Sequence, residues 1–299
     1  MSERLVGTVF VAISAAAFGS MAIFGVWAHL DGVGTPAVLF VRFTAAALIL
    51  MIVMYVRRIP LPPVRHLGPV AAMGGVGYVG QSYCFFLALE HAQASLVALL
   101  LYLFPAFVAI LAAIFLRERI GAVTGFALVL ALIGTSLVVG GGTGKAIGIA
   151  LGIGAAVIYS IYITVGAVVT EGLNAIVVST VVCCAAAVVC GAIVLIMAMT
   201  GNPTSFPGSG RGWGSLAAIA IIGTVTAILA FFAGLQRLGP TSTSVLSTLE
   251  PVVTVALATW LLGDTLSAVQ GVGGGLVLVA VIWLAMTQRS AAVVPAPPV

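Results

Sequence analysis

The chain has 299 residues, of which 62% are hydrophobic and only 6% are charged. A soluble globular protein has about 25% charged residues, so a water-exposed surface is excluded and lipid is the expected solvent. The net charge of +4 comes from basic residues scattered over predicted loops, which argues against a nucleic-acid partner. The four cysteines lie within apolar runs without metal-ligand spacing, so we expect no disulfide framework, metal or other cofactor.

The hydropathy pattern predicts ten transmembrane helices. A helix needs about 20 apolar residues to cross the hydrocarbon core, and ten apolar runs of about that length follow one another. The predicted spans are residues 5–30, 36–56, 67–89, 92–116, 121–142, 146–169, 175–199, 213–235, 241–262 and 269–286. The first run is too long for the core of a signal peptide, and the proline-rich tail at residues 290–299 is predicted to be disordered.

The second half of the chain repeats the first. Residues 88–105 align with residues 234–251 without a gap, so that Leu89 falls on Leu235 and Pro105 on Pro251. Because each copy contains an odd number of spans, the second copy should enter the membrane from the opposite face. We therefore predict an all-α integral membrane protein whose ten transmembrane helices form two inverted five-helix repeats, residues 1–142 and residues 143–289.

The loop charges predict the orientation. With the N-terminus inside, eight Lys and Arg residues face the cytoplasm and only Lys145 and Arg211 face the other side. This bias is typical of cytoplasmic loops, so we expect a multi-pass protein of a bacterial-type inner membrane with both termini in the cytoplasm. Small residues spaced four apart, including Gly148 with Gly152 and Gly271 with Gly275, predict close approaches between helices.

Several motifs resemble the EamA branch of the drug/metabolite transporter superfamily, over nearly the whole chain. They are LFVRF at residues 39–43, STLEP at 247–251, LGD at 262–264, and the first-half counterparts YLFP at 102–105 and LRE at 116–118. The resemblance implies a ten-helix basket around a central cavity, with the fifth and tenth spans packed at the back. It also implies a bacterial exporter of amino acids, aromatic ones included. One departure is Phe104 before Pro105, where the second half has Glu250 before Pro251.

The third span carries the first group of predicted substrate contacts. Tyr78, Gln81, Ser82 and Phe85 share one helical face. Polar groups on a lipid-facing stripe would lack hydrogen-bond partners, so this face should look inward. Aromatic rings beside an amide suit a substrate with an apolar body and a polar end. The alternative is that these residues only hydrogen-bond neighbouring helices.

A second group surrounds the prolines of the fourth and ninth spans, where the backbone ladder is weakened. Matching breaks in two halves point to a transport site, although a plain kink is the alternative. The candidates there are Tyr102, Ser244, Ser247 and Thr248. A third group, Phe18 with its repeat counterpart Tyr159 and the nearby Tyr162, could form side walls, or could simply pack in the core.

Four further residues are candidates for gating or proton-linked roles. Glu250 is the only acid near the middle of a predicted span, and a carboxylate there must be paired, protonated or near water. It could bind a substrate amine, cycle a proton, or make a structural hydrogen bond across the break at Pro251; Pro105 is the first-half counterpart. Arg42 could attract a substrate carboxylate, pair with Glu250, or snorkel to the outer face.

These patterns favour a secondary transporter that exports small amphipathic metabolites, amino acids including aromatic ones, by alternating access through a central cavity. The expected partners are the small-molecule substrate and membrane lipid, and a monomer is sufficient. An ATP-binding loop and a cluster for acid–base or nucleophilic work are both absent from the sequence, so we do not expect an enzyme. Two alternatives remain: an exporter of other metabolites or drugs, and a non-transporting membrane scaffold or sensor.

Overall fold

The computed structural model describes residues 3–61, 63–115, 122–141, 144–170, 172–231, 233–234, 237, 246–247 and 249–287. Within these ranges the chain is almost wholly helical, and the strand-like pairing is confined to one bridge between Ala92 and Gly144. The predicted disordered tail and the loop at residues 116–121 lie outside the described residues.

The first half contains two long helices followed by several shorter ones that adjoin each other. They are α1 (Glu3–Leu30), α2 (Thr35–Val56), α3 (Val64–Ala72), the π-helical segment π1 (Met73–Tyr78), α4 (Val79–Leu89), α5 (Ala94–Leu101), α6 (Phe104–Phe115) and α7 (Ala122–Gly141). Segments α3, π1 and α4 form one continuous helix. The predicted fourth span is interrupted between α5 and α6, just before Pro105, because proline has no N–H to continue the ladder.

The second half follows the same order. Its elements are α8 (Ala146–Val169), α9 (Ala175–Met199), α10 (Gly210–Ala220), π2 (Ile221–Thr226), α11 (Leu249–Leu257), π3 (Ala258–Leu262) and α12 (Ala268–Thr287). Segment π2 extends α10 as π1 extends α3. A π-helical turn inserts one extra residue into an α-helix and often lies at a functional site.

Among the described residues, five helices are long and apolar enough to cross a membrane: Leu5–Leu30, Thr35–Val56, Ala146–Gly166, Ala175–Met199 and Gly210–Phe231. Shorter apolar helices lie within the predicted fourth, fifth, ninth and tenth spans. The outer surface is also apolar, with Tyr55, Met199 and Trp260 among its strongly exposed side chains. The chain is therefore a membrane protein with several apolar helices, while the number of ten spans stays a prediction.

Contacts between the halves follow a reciprocal pattern. Helix α1 packs against α10, π2 and α11, and α8 packs against α4, π1, α5 and α6. Helix α2 packs along α9, and α7 packs along α12. The neighbours of α1 in the second half thus correspond in chain order to the neighbours of α8 in the first half.

Helices α7 and α12 cross where two glycines face each other. A Cβ atom added to Gly134 would lie 2.6 Å from the carbonyl oxygen of Gly273, and one on Gly273 would lie 2.5 Å from that of Gly134. Bare backbone at both positions is what permits this approach. Helices α7 and α12, which lie within the predicted fifth and tenth spans, therefore pack directly on each other.

The glycine pairs give one confirmation and one correction. Gly148 and Gly152 do lie against α5 and the residues before it, with added Cβ atoms 2.9 Å from Ala92 and 3.0 Å from Leu100. Added Cβ atoms on Gly271 and Gly275 meet nothing within 4 Å. The contact of α12 therefore uses Gly273 rather than that pair, because a step of two residues turns a helix by about 200°.

Candidate functional site

Arg42 is buried in the interior, with 2% of its surface exposed. Its Nε donates to Thr224 Oγ1 (2.9 Å), its Nη2 to the Tyr78 hydroxyl oxygen (2.9 Å), and its Nη1 lies 3.4 Å from Ser82 Oγ. The guanidinium also lies over the rings of Phe43 and Phe86. The guanidinium of Arg42 is thus surrounded by three hydroxyl groups and by aromatic rings, an arrangement called the Arg42 cage below. The predicted alternative, in which Arg42 snorkels to the outer face, is wrong.

The Tyr78 hydroxyl is polarised by this contact. Because its oxygen accepts from the guanidinium, its O–H is left to donate elsewhere, and hydrogen bonds assisted by a charge are the stronger kind. Tyr78 ends π1 in mid-helix and keeps some accessible surface although protein surrounds it.

A row of aromatic rings leads away from Tyr78. Tyr78 stacks on Tyr162 (ring centroids 5.6 Å apart), Tyr162 stacks on Tyr159 (6.1 Å), and Tyr159 meets Phe104 edge to face (4.8 Å). Phe104 then meets Tyr102 edge to face at 5.7 Å. This aromatic row joins π1, α8 and the break between α5 and α6, and Tyr78, Tyr159 and Tyr162 along it are partly accessible.

The far end of the aromatic row carries a carboxylate. The Tyr102 hydroxyl donates to the backbone oxygen of Ser247 (2.9 Å) and lies 3.1 Å from Glu250 Oε2. Helix α1 fixes this corner: Thr254 Oγ1 donates to the Gly19 carbonyl, and a Cβ atom on Gly19 would lie 2.8 Å from the Glu250 carbonyl oxygen. Glu250 thus contacts a tyrosine of the first half, and its side chain is partly accessible.

The predicted face of the third span does look inward. Gln81, Ser82 and Phe85 are buried, and Ser82 Oγ lies 3.3 Å from Gln81 Oε1. Ser82 also connects this face to Arg42, so three of the four predicted residues join one polar network with the cation. Phe85 packs edge to face on Phe86 instead.

The remaining predicted residues divide by location. Phe18 is half-buried on α1 and does not belong to the aromatic row. Pro251 is buried within α11, and Pro105 lies in the first turn of α6. Ser244 and Thr248 lie outside the described residues.

The structure also shows a contact that sequence reasoning missed. Asp264 is buried, and its Oδ2 accepts from the backbone N–H of Ser95 (3.2 Å) and from Ser95 Oγ (2.9 Å). A carboxylate near the first turn of α5 also complements the helix dipole. The sequence signal was the LGD motif at residues 262–264.

Two cavities lie away from these residues. One, of about 350 Å³, is lined by Phe24, Trp27, Arg211 and Ser215 among others, between α1 and α10. The other, of about 1020 Å³, lies between α2, α3 with π1, and α9. The predicted substrate residues line neither of these two, so the central cavity stays a prediction supported by the partial accessibility of the aromatic row.

Comparison with known proteins adds the family. The model of the EamA-like transporter family matches residues 5–140 and again residues 146–286. The chain belongs to the EamA-like transporter family. This EamA-like transporter is 25% identical over 288 residues to the uncharacterized transporter YcbK of Bacillus subtilis (strain 168), covering 91% of this chain and 90% of YcbK.

A solved structure supports the fold. It is described only as the crystal structure of a protein, and it matches 97% of this chain and 99% of its own with a TM-score of 0.63 and 21% identity. The family match and the apolar helices make this EamA-like protein a membrane transporter, and they point to transport rather than catalysis.

Proposed function

We propose that this EamA-like transporter is a secondary carrier that exports small amphipathic metabolites, namely amino acids, aromatic ones among them. The observation that carries the proposal is that the two ends of the aromatic row bear different polar groups. At one end Tyr78, backed by Arg42, has an O–H free to donate; at the other end Glu250 is a carboxylate beside Tyr102. A ring suits the stacked tyrosines of the row. The carboxylate and the ammonium of an amino acid are attached to one carbon, so both bind on the same side of that ring, the carboxylate nearer Tyr78 and the ammonium nearer Glu250.

Transport by alternating access is part of the same proposal. Exchanging the two halves leaves the pattern of helix neighbours nearly unchanged, and the family model matches twice along the chain. Both observations support the two inverted five-helix repeats proposed for residues 1–142 and 143–289, whose exchange of conformations would move access across the membrane. The bias of loop Lys and Arg supports an inner-membrane protein with cytoplasmic termini, and one copy of the chain is enough.

The test is uptake into liposomes that contain the purified protein. Labelled phenylalanine should exchange, and unlabelled phenethylamine, which lacks the carboxylate, and phenylpropionate, which lacks the ammonium, should compete more weakly. Tyr78→Phe should raise the KM for phenylalanine about fivefold to tenfold, because one hydrogen bond to a charged group is lost. The same change should leave competition by phenethylamine unaltered. Glu250→Gln should also raise the KM for phenylalanine, but it should leave competition by phenylpropionate unaltered.

Tyr55→Phe is the matched control, since Tyr55 is 86% exposed on the outer surface and its hydroxyl should not affect KM. Parent-like kinetics of Tyr78→Phe with every compound would remove the substrate assignment. Exchange of other metabolites but not of amino acids would favour the broader exporter. A scaffold or sensor would show no flux at all.

A further inference from the structure

The groove of about 1020 Å³ between α2, α3 with π1, and α9 lies on the outer side of the bundle. Its walls are apolar, and its rim carries large exposed side chains: Tyr55 is 86% exposed, Val76 76% and Val188 72%. Because lipid surrounds this side of a membrane protein, the rim residues face acyl chains rather than water.

Small residues of the third span line the groove. They are Ala71, Ala72 and Gly75, and a Cβ atom on Gly75 would come within 3.1 Å of Val189 Cγ2. Along α9 the lining runs from Thr180 to Val189, which is roughly 14 Å at the rise of an α-helix. That length is close to half of the ~30 Å hydrocarbon core, so the groove matches the acyl chain of one leaflet.

One end of the groove is basic. Arg58 lines it where α2 ends, the exposed Arg57 directly precedes Arg58, and the exposed Arg65 lies in the first turn of α3. In the described part of the chain, Arg57 and Arg58 take part in no ion pair, so the groove has an apolar body and an uncompensated cationic end.

Arg58 occupies a backbone position that normally favours glycine. Its φ is +52°, and among the described non-glycine residues it alone has a positive φ. The helix ends in a Schellman motif: Arg58 N–H donates to the Tyr55 carbonyl and Ile59 N–H to the Met54 carbonyl. An arginine here has a conformational cost that glycine would avoid, which indicates that the side chain serves a purpose other than ending the helix.

We propose that this groove is a binding site for an anionic phospholipid. One acyl chain lies along α9 from Thr180 to Val189, and the phosphate contacts the Arg58 guanidinium, which matches phosphate geometry. Phosphatidylglycerol represents this class. The proposal does not depend on which substrate the transporter moves.

Native mass spectrometry of the full chain released from detergent tests the site. Phosphatidylglycerol should be retained at one molecule per chain, and phosphatidylcholine with the same acyl chains should be lost. Arg58→Gln should lower retention of phosphatidylglycerol about tenfold, because one charge-assisted contact is removed. Arg211→Gln, which removes an arginine at the other cavity, is the control and should retain the lipid.

Two further variants separate lipid binding from folding. Arg58→Gly keeps the left-handed turn and relieves its strain, so thermal stability should hold or rise while phosphatidylglycerol retention falls. Val188→Trp should fill the groove and displace the lipid, whereas Leu195→Trp, on an equally exposed part of α9 outside the groove, should not.

Three results would overturn the proposal. Equal retention of the two lipids would mean that the groove holds only bulk membrane lipid. Displacement of phosphatidylglycerol by millimolar inorganic phosphate would identify a site for free anions. Dimers that Val188→Trp dissociates would assign the groove to a second copy of the chain.

Discussion

Arg42 brings together side chains from three separate parts of the chain. Its three nitrogens face hydroxyl groups of Thr224, Tyr78 and Ser82, and in the part of the chain that the structure describes it has no carboxylate partner. A buried charge is tolerated only if its hydrogen bonds are satisfied. The planar guanidinium can satisfy three partners at once because its five N–H donors point outward in a fixed fork.

Arg42→Lys should therefore destabilise the protein although the charge is kept. A lysine has one nitrogen and cannot reach Thr224 and Tyr78 together, so at least one hydrogen bond to a charged group is lost, at a cost of about 1–3 kcal/mol. Thermal unfolding in detergent measures this. Arg57→Lys, at an exposed position, is the control. Equal melting temperatures for the two variants would show that the hydrogen bonds of Arg42 do not stabilise the protein.

The sequence singled out individual residues as candidates but did not show how they connect. Arg42 and Glu250 stood out because charges are rare within apolar runs. Thr224, in contrast, is 182 residues from Arg42 and lies in an apolar stretch with no pattern that would pair them. The choice between snorkelling and burial depended on that partner, and so it could be made only from the folded chain.

At the level of helices, α7 and α12 depend on the two facing glycines. Gly134 and Gly273 each bring the partner backbone closer than any side chain would allow. Close backbone contact matters in lipid, because helix association there depends on packing rather than on the hydrophobic effect.

Gly134→Leu should separate the two helices and cost about 1–3 kcal/mol, the usual range for overpacking. Gly275→Ala is the matched control on α12: its new methyl group meets nothing within 4 Å, so stability should stay level or rise by up to ~1 kcal/mol from helix propensity. Unfolding monitored by circular dichroism compares the two. A smaller loss for Gly134→Leu than for Gly275→Ala would place the contact elsewhere.

Hydropathy located the helices well, because a long apolar run in lipid can satisfy its backbone only as a helix. The π-helical segments were missed, since a search at 3.6 residues per turn assumes a regular helix. The inward face of the third span was nevertheless predicted, because Tyr78 ends π1 and Gln81, Ser82 and Phe85 follow in regular α4. On α12 the spacing of small residues pointed to the face of Gly271 and Gly275, whereas the contact uses Gly273 on another face. Glycines lie on both faces, so the spacing alone could not distinguish them.

For the whole molecule, the hydrogen bonds of Asp264 with Ser95 join the two halves. The carboxylate follows π3 in the second half, and the hydroxyl and N–H that it binds begin α5 in the first half. Under the proposed alternating access, we expect this contact to change when the halves exchange conformations.

Asp264→Asn should weaken that connection by about 1–2 kcal/mol, since bonds to an ionised acceptor are roughly twice as strong as neutral ones. The first turn of α5 should then exchange its amide hydrogens about fivefold to thirtyfold faster. Hydrogen–deuterium exchange measures this, with α9 as the internal reference. Asp31→Asn, which removes the carboxylate bound by Ser209, should leave exchange in α5 unchanged. Equal protection of α5 in the parent and both variants would show that the contact of Asp264 with Ser95 does not stabilise this helix.

The charge on Arg42 has an electrical consequence. Arg42 belongs to α2, and hydrogen bonds hold its guanidinium in the interior of the bundle. Any displacement of that helix along the bilayer normal therefore carries a positive charge through the membrane potential. A full crossing corresponds to about 2.3 kcal/mol per 100 mV, and a quarter of the depth to about 0.6 kcal/mol. If the proposed alternating access moves α2 in this way, voltage would bias the two conformations through the protein itself, even for a transported molecule with no net charge.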